Sequence, residues 1–301
     1  MRILISGSSG LIGTAVATAL ARDGHMLQRL VRPESKGQPR TGDFRWDTAS
    51  GEIDAGAAEG ADAVVNLAGA SIGEGRWTAA RKELLRASRV DSTRHLVRAL
   101  GKLHKLPRVF VSASAVGYFG DRGDEELTEE SGAGGDFLAT LCKDWEAEAA
   151  AAASFGARTV CTRFGIVLAR DGGALPRMVS PFKFGAGGRL GSGKQWMSWI
   201  ALGEVASIVK FVLANESFTG AVNAVAPQPV RNSEFTKILA SVLHRPAIFP
   251  APDFALKLAL GEMAEGLLLS GQRVLPARLV SASYQFQATD LRAALVAVLA
   301  K

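Results

Sequence analysis

Tyrosine, cysteine and histidine are all scarce in this chain of 301 residues, which holds two, two and four of them. The two cysteines, Cys142 and Cys161, fit no disulfide framework and no metal-ligand spacing. Their ordinary place is as small buried hydrophobes. His25, His95, His104 and His244 stand apart, none paired at a ligand spacing, so no metal site is expected. Long runs of one charge are missing too. The formal net charge is +6, with lysine and arginine scattered among the acids. That excludes a nucleic-acid footprint but suits an anionic ligand, for which a phosphorylated cofactor is enough. No stretch is apolar enough for a membrane span: "FALKLALGEMAEGLLLSG" is interrupted by Lys257, Glu262 and Glu265. The opening "MRILISG" lacks the basic leader and apolar core of a signal peptide. The expectation is a cytoplasmic protein with neither membrane nor nucleic-acid partners.

What is present is a β–α alternation. Hydrophobic residues are 48% and charged residues 21% of the chain, ordinary for a globular enzyme. "RILIS" reads as a buried strand, and "LIGTAVATALARDG" as a helix that Gly24 ends. "MLQRLVR", a weaker "DFRWD" and "DAVVNLAG" are further strands. One long helix is expected over "TAARKELLRASRVDSTRHLVRALGKL". "PRVFVSAS" follows as a fifth strand, "FLATLCKDWEAEAAAAASFG" as a helix and "ARTVCTRFGIVL" as a sixth strand. This order predicts an α/β fold, a Rossmann-type doubly wound parallel sheet. After Leu168 comes "RDGGALPRMVSPFKFGAGGRLGSGKQWMSWI", too irregular for one long element and of a length that is usually functional. Helices over "ALGEVASIVKFVLAN" and "RNSEFTKILASVLHRP" flank a short strand, "GAVNAVAP". The remainder is mainly helical, with "QRVLP" as a strand. Two units are expected: a cofactor-binding domain over residues 1–170, and a smaller mixed, mostly helical substrate lobe over 171–301. Some of the later elements are expected to return to the main sheet.

Between first strand and first helix, "SGSSGLIG" sets Gly7, Gly10 and Gly13. The first allows a tight exit from the strand, the second lets backbone approach a pyrophosphate, and the third lets helix and strand pack closely. The amides of Ser9, Gly10, Leu11 and Ile12 then point at the anion from the helix N-terminus. This GxxGxxG spacing, with "NLAG" closing the fourth strand, resembles the short-chain dehydrogenase/reductase superfamily. Length and C-terminal lobe resemble its extended branch, the sugar-nucleotide epimerases and dehydratases. More narrowly, "SASAVGYFG", "GDFLATLCKDWE", "RFGIVLARDGGAL" and "GSGKQWMSWI" resemble an atypical group of epimerase-family proteins. Their C-terminal helical module is similar to this chain from about "LLLSGQRVLP" onward.

The resemblance implies a nicotinamide cofactor. Where NAD-selective folds place an acid, at the end of the second strand, this chain has Arg32. A guanidinium there pairs with a 2′-phosphate, so NADP(H) is expected. The resemblance also implies that Leu67, Ala68 and Gly69 pass beneath the adenine ribose and that Arg89 lies near the cofactor; a surface arginine is the other reading of Arg89. For chemistry, the resemblance implies a serine that hydrogen-bonds the substrate carbonyl, a tyrosine that transfers the proton and a lysine that lowers the tyrosine pKa while holding the ribose. Ser114 aligns with the catalytic serine, with Ser112 as runner-up. Lys143 stands in the place of the lysine, or is an ordinary solvated one. The position one helical turn before it, where the tyrosine belongs, holds Ala139. Of the two tyrosines, Tyr284 is expected to pack against the late lobe. Tyr118 is either the proton donor or a pocket wall, with Asp136 or water as substitutes. In the glycine-rich loop, Lys183, Arg189 and Lys194 are placed to hold an anionic substrate, and Trp196 and Trp199 to form an aromatic wall; solvated loop charges are the plainer reading.

Two functions follow. One is an NADP(H)-dependent oxidoreductase or epimerase acting on a small carbonyl, hydroxyl or sugar-nucleotide-like substrate, as a monomer or homodimer. The other is a non-catalytic NADP(H) sensor or scaffold that has lost its proton relay at Ala139.

Overall fold

The computed structural model describes residues 1–32, 41–54 and 56–300. Its first half follows the expected alternation: β1 (Arg2–Ser6), α1 (Leu11–Arg22), β2 (Met26–Val31), β3 (Asp43–Arg45) and β4 (Ala63–Asn66), then α2 (Ala79–Arg86) and α3 (Ser92–Leu100). Next come β5 (Val109–Ala115), a 3₁₀ turn over Val116–Phe119, β6 (Glu126–Leu127), α4 (Phe137–Ala150) and β7 (Arg158–Phe164). The second half adds β8 (Ile166–Leu168), α5 (Leu175–Lys183), β9 (Trp196–Met197), β10 (Trp199–Ala201) and α6 (Leu202–Ala214). It ends with β11 (Gly220–Ala224), β12 (Val230–Arg231), α7 (Asn232–Leu243), α8 (Asp253–Leu260), α9 (Glu262–Ala264), β13 (Arg273–Val274), α10 (Ala277–Ser281) and α11 (Leu291–Leu299).

Seven parallel strands form the main sheet in the order β11-β7-β5-β4-β1-β2-β3. Period-two alternation sorts their side chains to two faces. Ile3, Ile5, Val65, Val111, Val160 and Val222 belong to the core that includes residues of α1 and α6. Leu4, Val64, Phe110 and Cys161, one register apart, belong to the core that includes residues of α3 and α4. On this second face the strands turn polar toward their C-terminal ends, through Ser6, Asn66, Ser112, Ser114 and Arg163, all buried. A third core, containing Leu175, Phe182, Trp199, Leu239 and Leu295, consolidates the C-terminal lobe.

Three expectations change. The long second helix is interrupted by a π-helical turn over Ala87–Asp91. The sixth strand breaks at Gly165: β7 stays in the main sheet, whereas β8 pairs with β10. A Cβ on Gly165 would lie 2.3 Å from the Ser198 carbonyl oxygen, so the crossing at the break admits only glycine. The segment after Leu168 also contains a regular helix, α5, with proline in its first turn, where a missing N–H costs nothing. As expected, late material returns to the main sheet, since β11 pairs with β7 from Gly220↔Val160 to Ala224↔Phe164.

Candidate functional site

The β1–α1 turn has the properties of a phosphate cradle. Gly7 has φ +67, and a Cβ there would lie 2.5 Å from the Leu67 carbonyl oxygen. Gly13 packs so tightly that its Cβ would fall 2.0 Å from the Gly7 oxygen. Gly10 differs: its Cβ would meet only the Gly7 oxygen, at 3.4 Å, so the space above it is open. Gly10 caps α1 with no side-chain hydrogen bond and no acid follows in the first turn. The leading amides of the helix, around Leu11 and Ile12, are thus left for an external anion. Ser9, Gly10 and Leu11 line an open groove. These residues fit a dinucleotide diphosphate.

Across the turn lies the segment after β4, where Leu67 is held by Ser6 through a bond from Leu67 N–H to Ser6 Oγ of 3.2 Å. Four successive carbonyl oxygens beyond it accept from side chains later in the chain. Arg89 Nη2 donates to Ala70 at 2.9 Å and the Trp77 indole N–H to Ile72 at 3.0 Å. Arg81 and Arg177 donate to Ser71 and Gly73. Arg89 is therefore turned inward: its Cζ would be 3.3 Å from a Cβ on Gly69, and burial depresses its pKa. The π-helical turn explains this aim, because its extra residue rotates Arg89 relative to a continuous α-helix. Arg32 follows β2 directly and is exposed; the segment beyond it, over 33–40, lies outside the described residues.

At the end of β5 the structure brings Ser114 and Tyr118 together with two residues to which sequence reasoning gave no role. Ser114 Oγ donates to Glu146 Oε1 at 2.6 Å. Arg163, on the neighbouring strand in register with Ser114, donates from Nε and Nη2 to the two Glu146 oxygens, each at 2.8 Å. The Arg163 guanidinium lies 3.4 Å from the Tyr118 ring centroid, a cation–π contact. Burial works against the Arg163 charge, but the hydrogen bonds and charge of Glu146 outweigh it and raise the pKa. Cys142 also faces Ser114. Burial first, then the Glu146 charge, pushes its thiol up to about 12, so it stays protonated. Ser112 is buried in a second cluster, where it accepts from Asn66 Nδ2 at 3.4 Å. Asn66 Nδ2 also donates to Thr93 Oγ1 at 2.9 Å.

Lys143 does not join this group. It is exposed, while Cys142 and Glu146 on the same helix take the inward positions. The pattern that finds Glu146 is helical: it stands seven residues after Ala139, two turns along one face, and Ala139 is fully buried. Asp136 caps α4, accepting from the Ala139 amide at 2.8 Å, so one of its oxygens is committed. Tyr284 donates to Glu204 at 2.5 Å and packs on Phe211 and Phe286, a packing residue as expected. Trp199 offers no wall to a ligand: it is 0% exposed, with its N–H on the Gln228 carbonyl oxygen at 3.0 Å. Trp196 instead lies beside the Arg231 and Arg273 guanidinium groups. Lys194 is exposed. The wall fails because the period-two alternation of the short strand sends Trp199 into the lobe core.

Residues 3–224 match the family described as NAD dependent epimerase/dehydratase, more than half of the chain. The chain belongs to that family. Residues 251–298 match a further domain of unknown function, which takes in most of the late helical module and begins before its expected start near Leu267. An epimerase family protein of Mycobacterium leprae is 40% identical over 97% of this chain and 94% of its own length. The human epimerase family protein SDR39U1 is 35% identical, with all of both chains covered. A crystal structure of the human protein, solved with NADPH, aligns over 99% of each chain with a TM-score of 0.89 and 34% identity. A nucleoside-diphosphate sugar epimerase from Corynebacterium glutamicum aligns at TM-score 0.81 and 37% identity, over 99% of this chain and 58% of its own. The UDP-glucose 4-epimerase of Thermus thermophilus, at 16% identity and TM-score 0.77, shares the fold. Among the described residues, no helix is long and apolar enough to cross a membrane.

Proposed function

We propose that this epimerase-family chain is an NADP(H)-dependent oxidoreductase or epimerase acting on a small carbonyl, hydroxyl or sugar-nucleotide-like compound. One observation carries the reading: an uncapped, glycine-lined helix N-terminus and a buried polar cluster around Ser114 lie at the same end of one parallel sheet, the end at which such folds bind ligands. The NADPH in the human relative supports the cofactor, and Arg32 supplies the charge for its 2′-phosphate. Ser114 and Tyr118 contact the substrate, while Lys194 and Arg189 favour an anionic one. The protein works in the cytoplasm as a monomer or homodimer.

A panel of carbonyl compounds and sugar nucleotides, read by NADPH oxidation, tests this function. Turnover of at least one compound is expected. Arg32→Asp is expected to weaken NADPH binding more than tenfold and to spare NADH, since a charge-assisted contact contributes about 1.5–3 kcal/mol. Equal loss for both cofactors removes Arg32 from the cofactor site.

A second reading is favoured by a specific absence. Ala139 is fully buried where the superfamily tyrosine stands, and the exposed Lys143 side chain has no hydrogen-bond or ion-pair partner among the described residues. A non-catalytic NADP(H) sensor or scaffold predicts tight NADPH binding with no turnover anywhere in the panel.

A further inference from the structure

A serine hydroxyl has one proton and two lone pairs. At Ser114 the proton is committed, and Arg163 determines to whom. Its bidentate grip on Glu146, at 2.8 Å on each side, engages both carboxylate oxygens as acceptors. With both Glu146 oxygens accepting, in the 2.6 Å contact Ser114 is the donor and Glu146 the acceptor. Turning the proton outward forfeits a charge-assisted bond, which makes the outward rotamer roughly tenfold to a hundredfold rarer. Ser114 itself is only 3% exposed, which leaves it little freedom to adapt. The Cys142 thiol beside it is a weak donor, so at least one strong acceptor position on Ser114 remains for a ligand.

We infer that Glu146 and Arg163 are positioning residues that hold Ser114 as a hydrogen-bond acceptor, and that the ligand group chosen at Ser114 is an alcohol hydroxyl rather than a bare carbonyl oxygen. This rests on the proposal above that a hydroxyl or carbonyl compound docks at the end of β5. It reverses the polarity that the superfamily resemblance implies, in which the serine donates to a substrate carbonyl. A carbonyl oxygen set against this Ser114 meets lone pair with lone pair, while an alcohol completes the chain alcohol–Ser114–Glu146–Arg163. The pair does not act as the missing proton relay. Both Glu146 oxygens are held by Arg163, so Glu146 orients Ser114 without taking its proton.

Cyclohexanol and cyclohexanone, matched in size, are the probes, titrated by ligand-observed NMR onto the full chain saturated with NADP⁺. The alcohol is expected to bind at least about tenfold more tightly than the ketone. Ser114→Ala brings that ratio close to one. The double variant Glu146→Leu/Arg163→Met replaces the ion pair with apolar groups of similar volume, an exchange that buried pairs often tolerate. It frees the Ser114 proton, and the preference falls at least about fivefold because the ketone gains a donor. A ketone that binds the wild-type protein as tightly as the alcohol, or no binding of either probe, overturns the inference. So does a folded double variant that keeps the full preference; if that variant does not fold, Ser114→Ala decides. Fluorescence titration with NADPH on the same wild-type protein before NADP⁺ is added separates the two levels, because absent NADPH binding defeats the proposed function instead.

Discussion

A single methyl group separates two kinds of glycine in the β1–α1 turn. At Gly13 it would collide with backbone at 2.0 Å, at Gly10 it would make an ordinary contact at 3.4 Å. Gly13→Ala is therefore expected to lower the melting temperature sharply, as overpacking against rigid backbone does. Gly10→Ala should fold like wild type, because its cost falls on the ligand, and should weaken NADPH binding at least tenfold. Normal NADPH affinity in a folded Gly10→Ala protein would remove the turn from the cofactor site. At this scale the sequence was informative wherever backbone carries the function: three glycines at fixed spacing imply the cradle without any knowledge of neighbours. It was less informative about side chains. Lys143 and Glu146 are three residues apart on α4, yet only Glu146 reaches Ser114. Helical spacing from Ala139 admits both, Lys143 at four residues and Glu146 at seven, and could not rank them, because the partner that decides, Arg163, comes from another strand.

Elements carry the next level of specification. The π-helical turn at Ala87–Asp91 and the break at Gly165 are both local departures from regular patterns, imposed by contacts with distant backbone. Hydrophobic periodicity reports a helix or strand there but not the inserted residue or the change of sheet. Helix α6 illustrates a contact that joins distant parts of the chain. Glu204, in its first turn, is buried and accepts from the Tyr284 hydroxyl at 2.5 Å and from the amides of Gln287 and Ala288 at 2.7 and 3.0 Å. Glu204→Ala leaves one hydroxyl and two amides unpaired, at a cost of about 3 kcal/mol or more. Urea unfolding should show that loss as a lower midpoint with NADPH affinity at 25 °C changed less than threefold. A midpoint within error of wild type would mean that water replaces the carboxylate without penalty.

For the molecule as a whole, the two buried thiols set a pH limit. Cys142 is pushed up to about 12 from an ordinary 9.0, and Cys161 is raised as well, in both cases chiefly by burial. The folded protein then holds two protons that the unfolded chain gives up above pH 9. Their contribution to stability is intact below that pH and is lost as pH climbs toward the folded values. The melting temperature should fall between pH 9 and pH 12 more steeply in wild type than in Cys142→Ala/Cys161→Ala, each measured against its own value at neutral pH. Parallel declines would show that other groups govern alkaline unfolding. Late segments are also tied to early ones: β11 crosses back to complete the main sheet, and Met263 and Leu279 from the late module share a core with β1.

The sequence by itself determined the parallel β–α architecture, the tight glycine turn before α1 and the family, because each rests on local rules: period-two and period-3.6 patterning, and glycine where backbone must come close. Tertiary structure alone decided which side chains meet at the end of β5, that Trp199 lies in the core rather than against a ligand, and that Arg89 turns inward. Those outcomes depend on strand order and on a helix's rotation about its axis, which bring residues from separate strands and a helix within 3 Å, and no spacing along one chain encodes them. The direction of the Ser114 hydrogen bond belongs to this second class, since it follows from Arg163 and Ser114 meeting on the Glu146 carboxylate.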